Sequence, residues 1–492
     1  MASYWSKTRQ LFGVLITFCL TFGSYSAPGV AVAQTNAPSS QEKSGTQIFR
    51  ESSTQVRLVE SGAHYLRLHF PQVPLPPNVI LRVSDANGQS WQRLDAELLA
   101  AWSYSTAYFN GDTVVLVLEG ATTDMLSNQQ PVSPLEMLLK GVRVETHRDA
   151  KPVRGATKES VGIIIGTDDR VHSENPATGR IVDVGCTGWL IAAGLGLSAG
   201  HCFSPMPRQQ QILEFNVPPS LPDGTIQHPP ASDQFPIDMA SVQSQSDNLG
   251  VAPGNDWAVF RINRNTTTGA SVFAARQAFF RLTTAIPAIA PGPGVPWVSV
   301  TGYGQDNVPP GSTGTWNADT QTKQEAIGSL LKTDIADQMH ATLVYDADTQ
   351  GGSSGSPAHL PGALIAIGIH DGGGALAVCG PNQQCNVATG FANRDLVGAI
   401  QALSSLPNLN PQFVDARSPS WVSPADGTIL RPYRSIEEAL ASARDNLVLN
   451  VVAGYYAGKG LIVNVPGRSV TLRAVAGDVT LGPVPRPVPL SL

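Results

Sequence analysis

Apolar and polar positions alternate with a period of two through residues 47–120. In Tyr65-Leu66-Arg67-Leu68-His69-Phe70, Leu66, Leu68 and Phe70 fall on one face, as in a half-buried strand. Val79–Val83 and Thr113–Leu118 are further strands, with turns supplied by Asn87-Gly88 and Asn110-Gly111. The pattern predicts a β-sandwich-like domain over 47–125. His69 lies on the polar face and is expected to be a solvated surface histidine. Beyond 121 the alternation is lost. Leu135–Lys140 reads as a short helix and the charged stretch Glu145–Lys158 as a linker, so 126–158 is expected to connect two folded parts.

Strand-like segments resume at Val161–Ile165, Thr187–Ala192, Trp257–Ile262, Trp297–Thr301, Ala341–Tyr345 and Ala363–Ile369, and Asp395–Leu403 has a helical period. From about 410 the pattern changes again. Ser435-Ile436-Glu437-Glu438 is a capping box opening a short helix with Ile436, Leu440 and Ala443 on one face. Short strands follow at Leu447–Val452, Leu461–Val465, Val470–Ala474 and Val479–Leu481, with glycines at the bends.

Composition fits this reading. The 492 residues suffice for about three domains. Only 14% are charged, and 47 glycines with 38 prolines favour short strands and many turns over helical bundles. A net charge of −6 without a long basic run gives no footing for nucleic acid. No cofactor is implied, and no Cys-x-x-Cys pair or histidine cluster suggests a metal. At the N-terminus, Lys7 and Arg9 precede the apolar run Leu11–Gly23, and Ala31-Val32-Ala33 offers a cleavage site. That run of 13 residues is short for a membrane span. Residues 1–33 are therefore expected to be a signal peptide, and the protein to be secreted or periplasmic after cleavage near Ala33. Residues 34–46 are polar and expected to be disordered. Cys19 leaves with the signal, and four cysteines remain in an oxidising compartment.

Three motifs carry candidate chemistry. Thr349-Gln350-Gly351-Gly352-Ser353-Ser354-Gly355-Ser356-Pro357 places serines between glycines, where a hydroxyl can sit on a tight bend beside free backbone N–H groups. Leu197-Ser198-Ala199-Gly200-His201-Cys202 offers a histidine, and Gly254-Asn255-Asp256-Trp257-Ala258-Val259 an aspartate heading an apolar strand. Together with Gly368-Ile369-His370, these motifs resemble the chymotrypsin-like serine peptidases, especially their bacterial, glutamyl endopeptidase branch. The resemblance covers about residues 160–405.

It implies a mainly β protein whose domain, 159–405, is a double antiparallel β-barrel with the site in the cleft between barrels. Ser354 would be the nucleophile, His201 its base and Asp256 the orienting carboxylate. Asp238, in Asp-Met-Ala-Ser-Val, is the weaker candidate because its strand runs on into Ser and Gln. The N–H groups of Gly352 and Ser354 would form the oxyanion hole. Cys186 and Cys202 would pair, which leaves Cys379 and Cys385 for each other. Ser353 departs from the animal digestive enzymes, which carry Asp there to bind a new N-terminal amine. A new N-terminus near Val161 is accordingly expected to be dispensable.

The specificity pocket would be built from Asp348, Thr349 and His370. An acid at Asp348 leads us to expect basic residues before the scissile bond. Thr349 and His370 match positions that bind glutamate instead, and Asp348 could also turn away into a loop hydrogen-bond network. The expected function is an exported serine endopeptidase acting on protein or peptide substrates. The alternative is a catalytically inactive peptidase fold used for binding or surface attachment. Residues 410–492 resemble the opening of a parallel β-helix and could contact a cell surface or polysaccharide. As about one coil cannot bury a continuous core, this piece should lean on the rest of the molecule.

Overall fold

The structure, a computed structural model, describes residues 45–482 except 74, 121–133, 150–161, 183, 205–208, 247–252, 286–296, 309–314, 375, 406–409, 421, 423, 443–446 and 458–469. The expected signal peptide, most of the expected disordered tail, Val161 and the strand at Leu461–Val465 lie outside the described residues.

In the N-terminal part, the alternation produces two antiparallel sheets. The first has the order Gln47–Arg50, Gln55–Val59, Thr113–Glu119, Ile80–Asp85, Trp91–Leu94, and the second Phe109–Asn110, Tyr65–His69, Arg143–Thr146. Val56, Leu58, Leu81, Val83 and Leu116 from one meet Leu66 and Leu68 from the other in a shared core. The domain runs past residue 125, so the linker expected over 126–158 begins too early. Pro134–Leu139 is a helix that buries Leu135 and Leu138, and Arg143–Thr146 pairs with Tyr65–His69. The charges of this last strand conceal its role: Glu145 is buried and bonds His69 Nε2 at 2.6 Å and the Tyr108 hydroxyl at 3.0 Å. His69 is thus a partnered, largely covered histidine rather than a solvated one.

Two six-stranded antiparallel barrels follow, as expected. The first closes through Thr178–Val182, Cys186–Ile191, Leu195–Ser198, Trp257–Ile262, Gln234–Gln245 and Ile212–Glu214. The second closes through Ile365–Gly374, Pro357–His359, Trp297–Gly302, Gln324–Ile335, Ala341–Tyr345 and Cys385–Gly390. Trp189 of the first barrel is edge-on to Phe280 and Phe391, and Ala366 and Ile369 of the second join the same core. The helix Arg394–Ser404 is capped by the Asn393 side chain and turns Leu396, Ile400 and Leu403 inward.

Beyond it, Asn410–Val414, Leu447–Ala457 and Val470–Gly482 form a three-stranded parallel sheet. The two strands expected over 470–481 are one, bent at Ala476, whose φ is +59°. Phe413, Ile429, Val452, Val475 and Ala476 enter the core that the barrels share, and Asp415 pairs with Arg281. The C-terminal sheet leans on the barrels by its apolar face.

Candidate active site

His201 sits on a single 3₁₀ turn, Gly200–Phe203. The turn is held from two sides. Cys202 is bonded to Cys186 in the adjacent barrel strand, and a Cβ at Gly200 would overlap the Gln245 carbonyl oxygen. Asp256 immediately precedes the strand Trp257–Ile262 and is buried. Its Oδ1 accepts the His201 backbone N–H at 2.7 Å, and its Oδ2 lies 2.5 Å from His201 Nδ1. A carboxylate so placed fixes both ring orientation and tautomer, with the ring proton on Nδ1. Asp238 lies mid-strand opposite Arg261 in the ladder and is half-buried.

Ser354 is buried at the bend of its loop, between Gly352 with φ +100° and Gly355 with φ +88°. Only glycine adopts such angles readily. A Cβ at Gly352 would also lie 2.5 Å from the Tyr303 carbonyl. The strand Cys186–Ile191 takes up the loop's carbonyls. Thr187 N–H donates to Ser354 O and the Thr187 hydroxyl to Gly352 O, both at 2.9 Å, and Trp189 Nε1–H donates to Gly355 O at 2.9 Å. Among the described residues, the N–H groups of Gly352 and Ser354 donate to no protein acceptor. The loop therefore keeps its acceptors satisfied and two donors in reserve.

Residues 164–396 match the family model described as Trypsin. Over that stretch, just under half of the chain, the protein is similar to trypsin-like serine proteases. No curated protein matches the chain. Among solved structures it is similar to a thermostable serine protease AL20 from an extremophilic microorganism, at 12% identity and a TM-score of 0.30, over 47% of this chain and 99% of that one.

Beside Ser354, the trypsin-like domain carries the three residues expected to line the specificity pocket, and Asp348 has another role. Its Oδ1 accepts the Ile165 N–H at 2.7 Å and its Oδ2 the Asp169 N–H at 3.1 Å. Of the three expectations for Asp348, the geometry matches the loop hydrogen-bond network. Burial, opposed by those two bonds, raises its pKa to about 6. Thr349 and His370 do converge on one spot. Thr349 Oγ1 and His370 Nε2 are buried with no hydrogen-bond partner among the described residues. His370 Nδ1 lies 2.6 Å from the Tyr345 hydroxyl. The same hydroxyl lies 3.3 Å from the Val387 carbonyl, and when its one proton goes to Nδ1 instead, the ring hydrogen is left on Nε2, facing the pocket. Burial, then the nearby His201, pushes the His370 pKa down to about 3, so the ring is neutral.

The backbone at Gly162 occupies that spot. A Cβ there would overlap Thr349 Oγ1 and lie 3.0 Å from His370 Nε2. The segment is an extended rim rather than the expected strand. Ile163 exchanges two bonds with the Asn386 side chain, and its carbonyl accepts the Thr349 N–H at 3.1 Å. Arg170 completes the rim, donating to Asp168 and to the Gln305 carbonyl. Sequence reading missed Gly162, Ile165, Asp169 and Arg170 as pocket residues. The only local signal was the charge cluster Asp168-Asp169-Arg170 in an apolar stretch. The second cysteine pair, Cys379 with Cys385, is bonded as expected.

Proposed function

We propose that the trypsin-like domain is a serine endopeptidase working through an acyl-enzyme. Ser354 Oγ attacks the scissile carbonyl while His201 Nε2 takes its proton. Asp256, bonded to the other ring nitrogen, stabilises the imidazolium that forms. The developing oxyanion is received by the N–H groups of Gly352 and Ser354, each such donor being worth about 3 kcal/mol in the transition state. The imidazolium returns its proton to the leaving amine, and water then repeats the sequence to release the acyl group. The observation that carries this reading is the two-point clamp of Asp256 on His201, made from motifs 55 residues apart.

The pocket favours an acidic side chain before the scissile bond, in place of the basic one expected from Asp348. Asp348 is engaged by backbone donors, whereas the Thr349 hydroxyl and the His370 ring, with its hydrogen on Nε2, are two donors aimed at one point, the point the Gly162 backbone covers, and they receive a carboxylate oxygen once that segment is displaced. The test is a pair of fluorogenic peptides differing only in Glu or Arg at that place, with Ser354→Ala as control. Glu should be cut faster, and His370→Ala should erase the preference while Asp348→Asn leaves its direction intact. Faster cutting of Arg, reversed by Asp348→Asn, would restore the basic reading.

A further inference from the structure

The peptide unit between Gly351 and Gly352 carries one of the two N–H groups assigned to the oxyanion. With no Cβ on either side, little steric resistance keeps it from turning over. Its orientation is set from outside the loop. Gln305 N–H donates to Gly351 O at 2.7 Å, and because a trans peptide points its N–H opposite its C=O, that bond aims the Gly352 N–H the other way. Gln305 follows Tyr303 and Gly304, and Gln321 grips both. Its Nε2 donates to Tyr303 O at 2.8 Å and its backbone N–H to Gly304 O at 2.9 Å. The same side-chain amide lies against Gly352, where an added Cβ would overlap Gln321 Nε2. Gln321 is buried and has a φ of +56°, a conformation that a residue other than glycine seldom keeps without outside support.

The support is a chain of buried groups. Arg180 Nη1 donates to Gln321 O at 3.1 Å, while its Nε and Nη2 donate to Glu214 Oε2 at 3.2 and 2.7 Å. Glu214 Oε1 lies 2.8 Å from His228 Nδ1. The N-terminal sandwich holds His228 in turn. The Asn110 side chain accepts the His228 N–H at 2.9 Å and donates to its carbonyl at 2.8 Å. The His228 ring stacks on Tyr108 and stands edge-on to Tyr65. An ion pair as deeply buried as Arg180 with Glu214 adds little net stability, and what it supplies is a fixed direction.

We propose that Gln321 is a positioning residue for the oxyanion site: it holds residues 303–305 so that the peptide between Gly351 and Gly352 keeps its N–H toward the reacting carbonyl, and the N-terminal sandwich braces it through His228, Glu214 and Arg180. The proposal rests on the assignment of Gly352 N–H as an oxyanion donor. Gln321 has no part in the triad, so its loss acts on the step in which the oxyanion forms. Ground-state binding is left to the pocket, and kcat falls while KM is nearly constant.

The experiment compares a tetrahedral adduct with a ground-state ligand on the full chain. A peptide aldehyde carrying the side chain that is cut faster forms a hemiacetal with Ser354 whose oxygen takes the oxyanion's place, and the alcohol of the same sequence binds without forming it. Gln321→Gly accepts the positive φ and removes the amide. Its kcat should fall about tenfold, part of the roughly 10²–10³-fold that losing a whole donor costs, with KM within about twofold. The aldehyde's Ki should rise about tenfold while the alcohol's stays the same. His228→Ala should move kcat and the aldehyde's Ki in the same directions, and His228→Asn, whose amide N–H replaces Nδ1–H toward Glu214, should restore both. An unchanged kcat in Gln321→Gly, or equal weakening of aldehyde and alcohol, would overturn the proposal. Wild-type kcat in His228→Ala would overturn the part given to the sandwich. Should Gln321→Gly not fold, Gln321→Met, which keeps the length and loses the donor, gives the same comparison. A wild-type chain that binds the aldehyde no more tightly than the alcohol would instead overturn the oxyanion site itself, and the role of Gln321 with it.

Discussion

At the scale of residues, Asp256 meets His201 at both its backbone N–H and its ring, so small changes there should have large kinetic effects. Asp256→Asn keeps the volume but lets the imidazole adopt the wrong tautomer, and kcat should fall by about 10⁴. Asp238→Asn, in the half-buried strand position opposite Arg261, should be near neutral; kcat values for the two variants check the pair. His370 gives a prediction in pH. Its folded pKa, about 3, lies below its ordinary 6.5. Between these values the unfolded chain binds a proton that the folded chain does not, so stability rises with pH through the window and is lost as pH falls from about 6.5 towards 3. His370→Asn removes that term. Between pH 7 and pH 5 it should lose about 2 kcal/mol less than wild type, read from urea unfolding at the two values. The triad candidates were legible because each sits in a local motif of a few residues. Asp348 was not, because its partners are N–H groups some 180 residues upstream, and a spacing rule counted back from Ser354 carries no information about them.

At the scale of elements, the strand Cys186–Ile191 works on both halves of the site. It anchors the His201 turn through Cys202, and it takes up three carbonyls or hydroxyl contacts of the Ser354 loop through Thr187 and Trp189. The disulfide closes a loop with a sequence separation of 16, worth about 3 kcal/mol in the chain-entropy model. Replacing both cysteines by alanine should lower the urea midpoint accordingly and lower kcat as well, because the His201 turn loses its covalent anchor. A fall in stability with unchanged kcat would mean that Gly200 packing alone holds the turn. Thr113–Glu119, Cys186–Ile191, Trp257–Ile262, Trp297–Gly302 and Ala341–Tyr345 were predicted within a residue of each end, whereas Ile365–Gly374 was expected to stop at Ile369 and Leu447–Ala457 at Val452. Arg143–Thr146 was missed because a buried glutamate paired with histidine is indistinguishable, in sequence, from a charged linker.

At the scale of the molecule, the N-terminal sandwich and the first barrel share a core. Val182, Ile212 and Ala231 of the barrel side pack with the sandwich's own residues. Polar groups cross the same boundary. Buried Arg67 donates to the Gln210 carbonyl, Tyr108 exchanges backbone bonds with the Gln234 side chain, and His228 stacks on Tyr108 with ring centroids 4.1 Å apart. The partners of Arg67 and Gln234 lie in the other domain, so their local sequence carries no sign of these bonds. A specific protease site placed within 150–161 and cut should therefore leave the two pieces co-eluting on gel filtration. Separation of the sandwich from the barrels would show that this interface is too weak to act alone.

The claim that Ser354 is a nucleophile activated by His201 is tested most directly by covalent labelling. A fluorophosphonate probe should add once to the wild-type chain, and mass spectrometry of the digest should place the adduct on Ser354. His201→Ala and Ser354→Ala should both abolish labelling. A wild-type chain that takes no probe, or takes it on Ser353 or Ser356 with Ser354→Ala still labelled, would contradict the assignment.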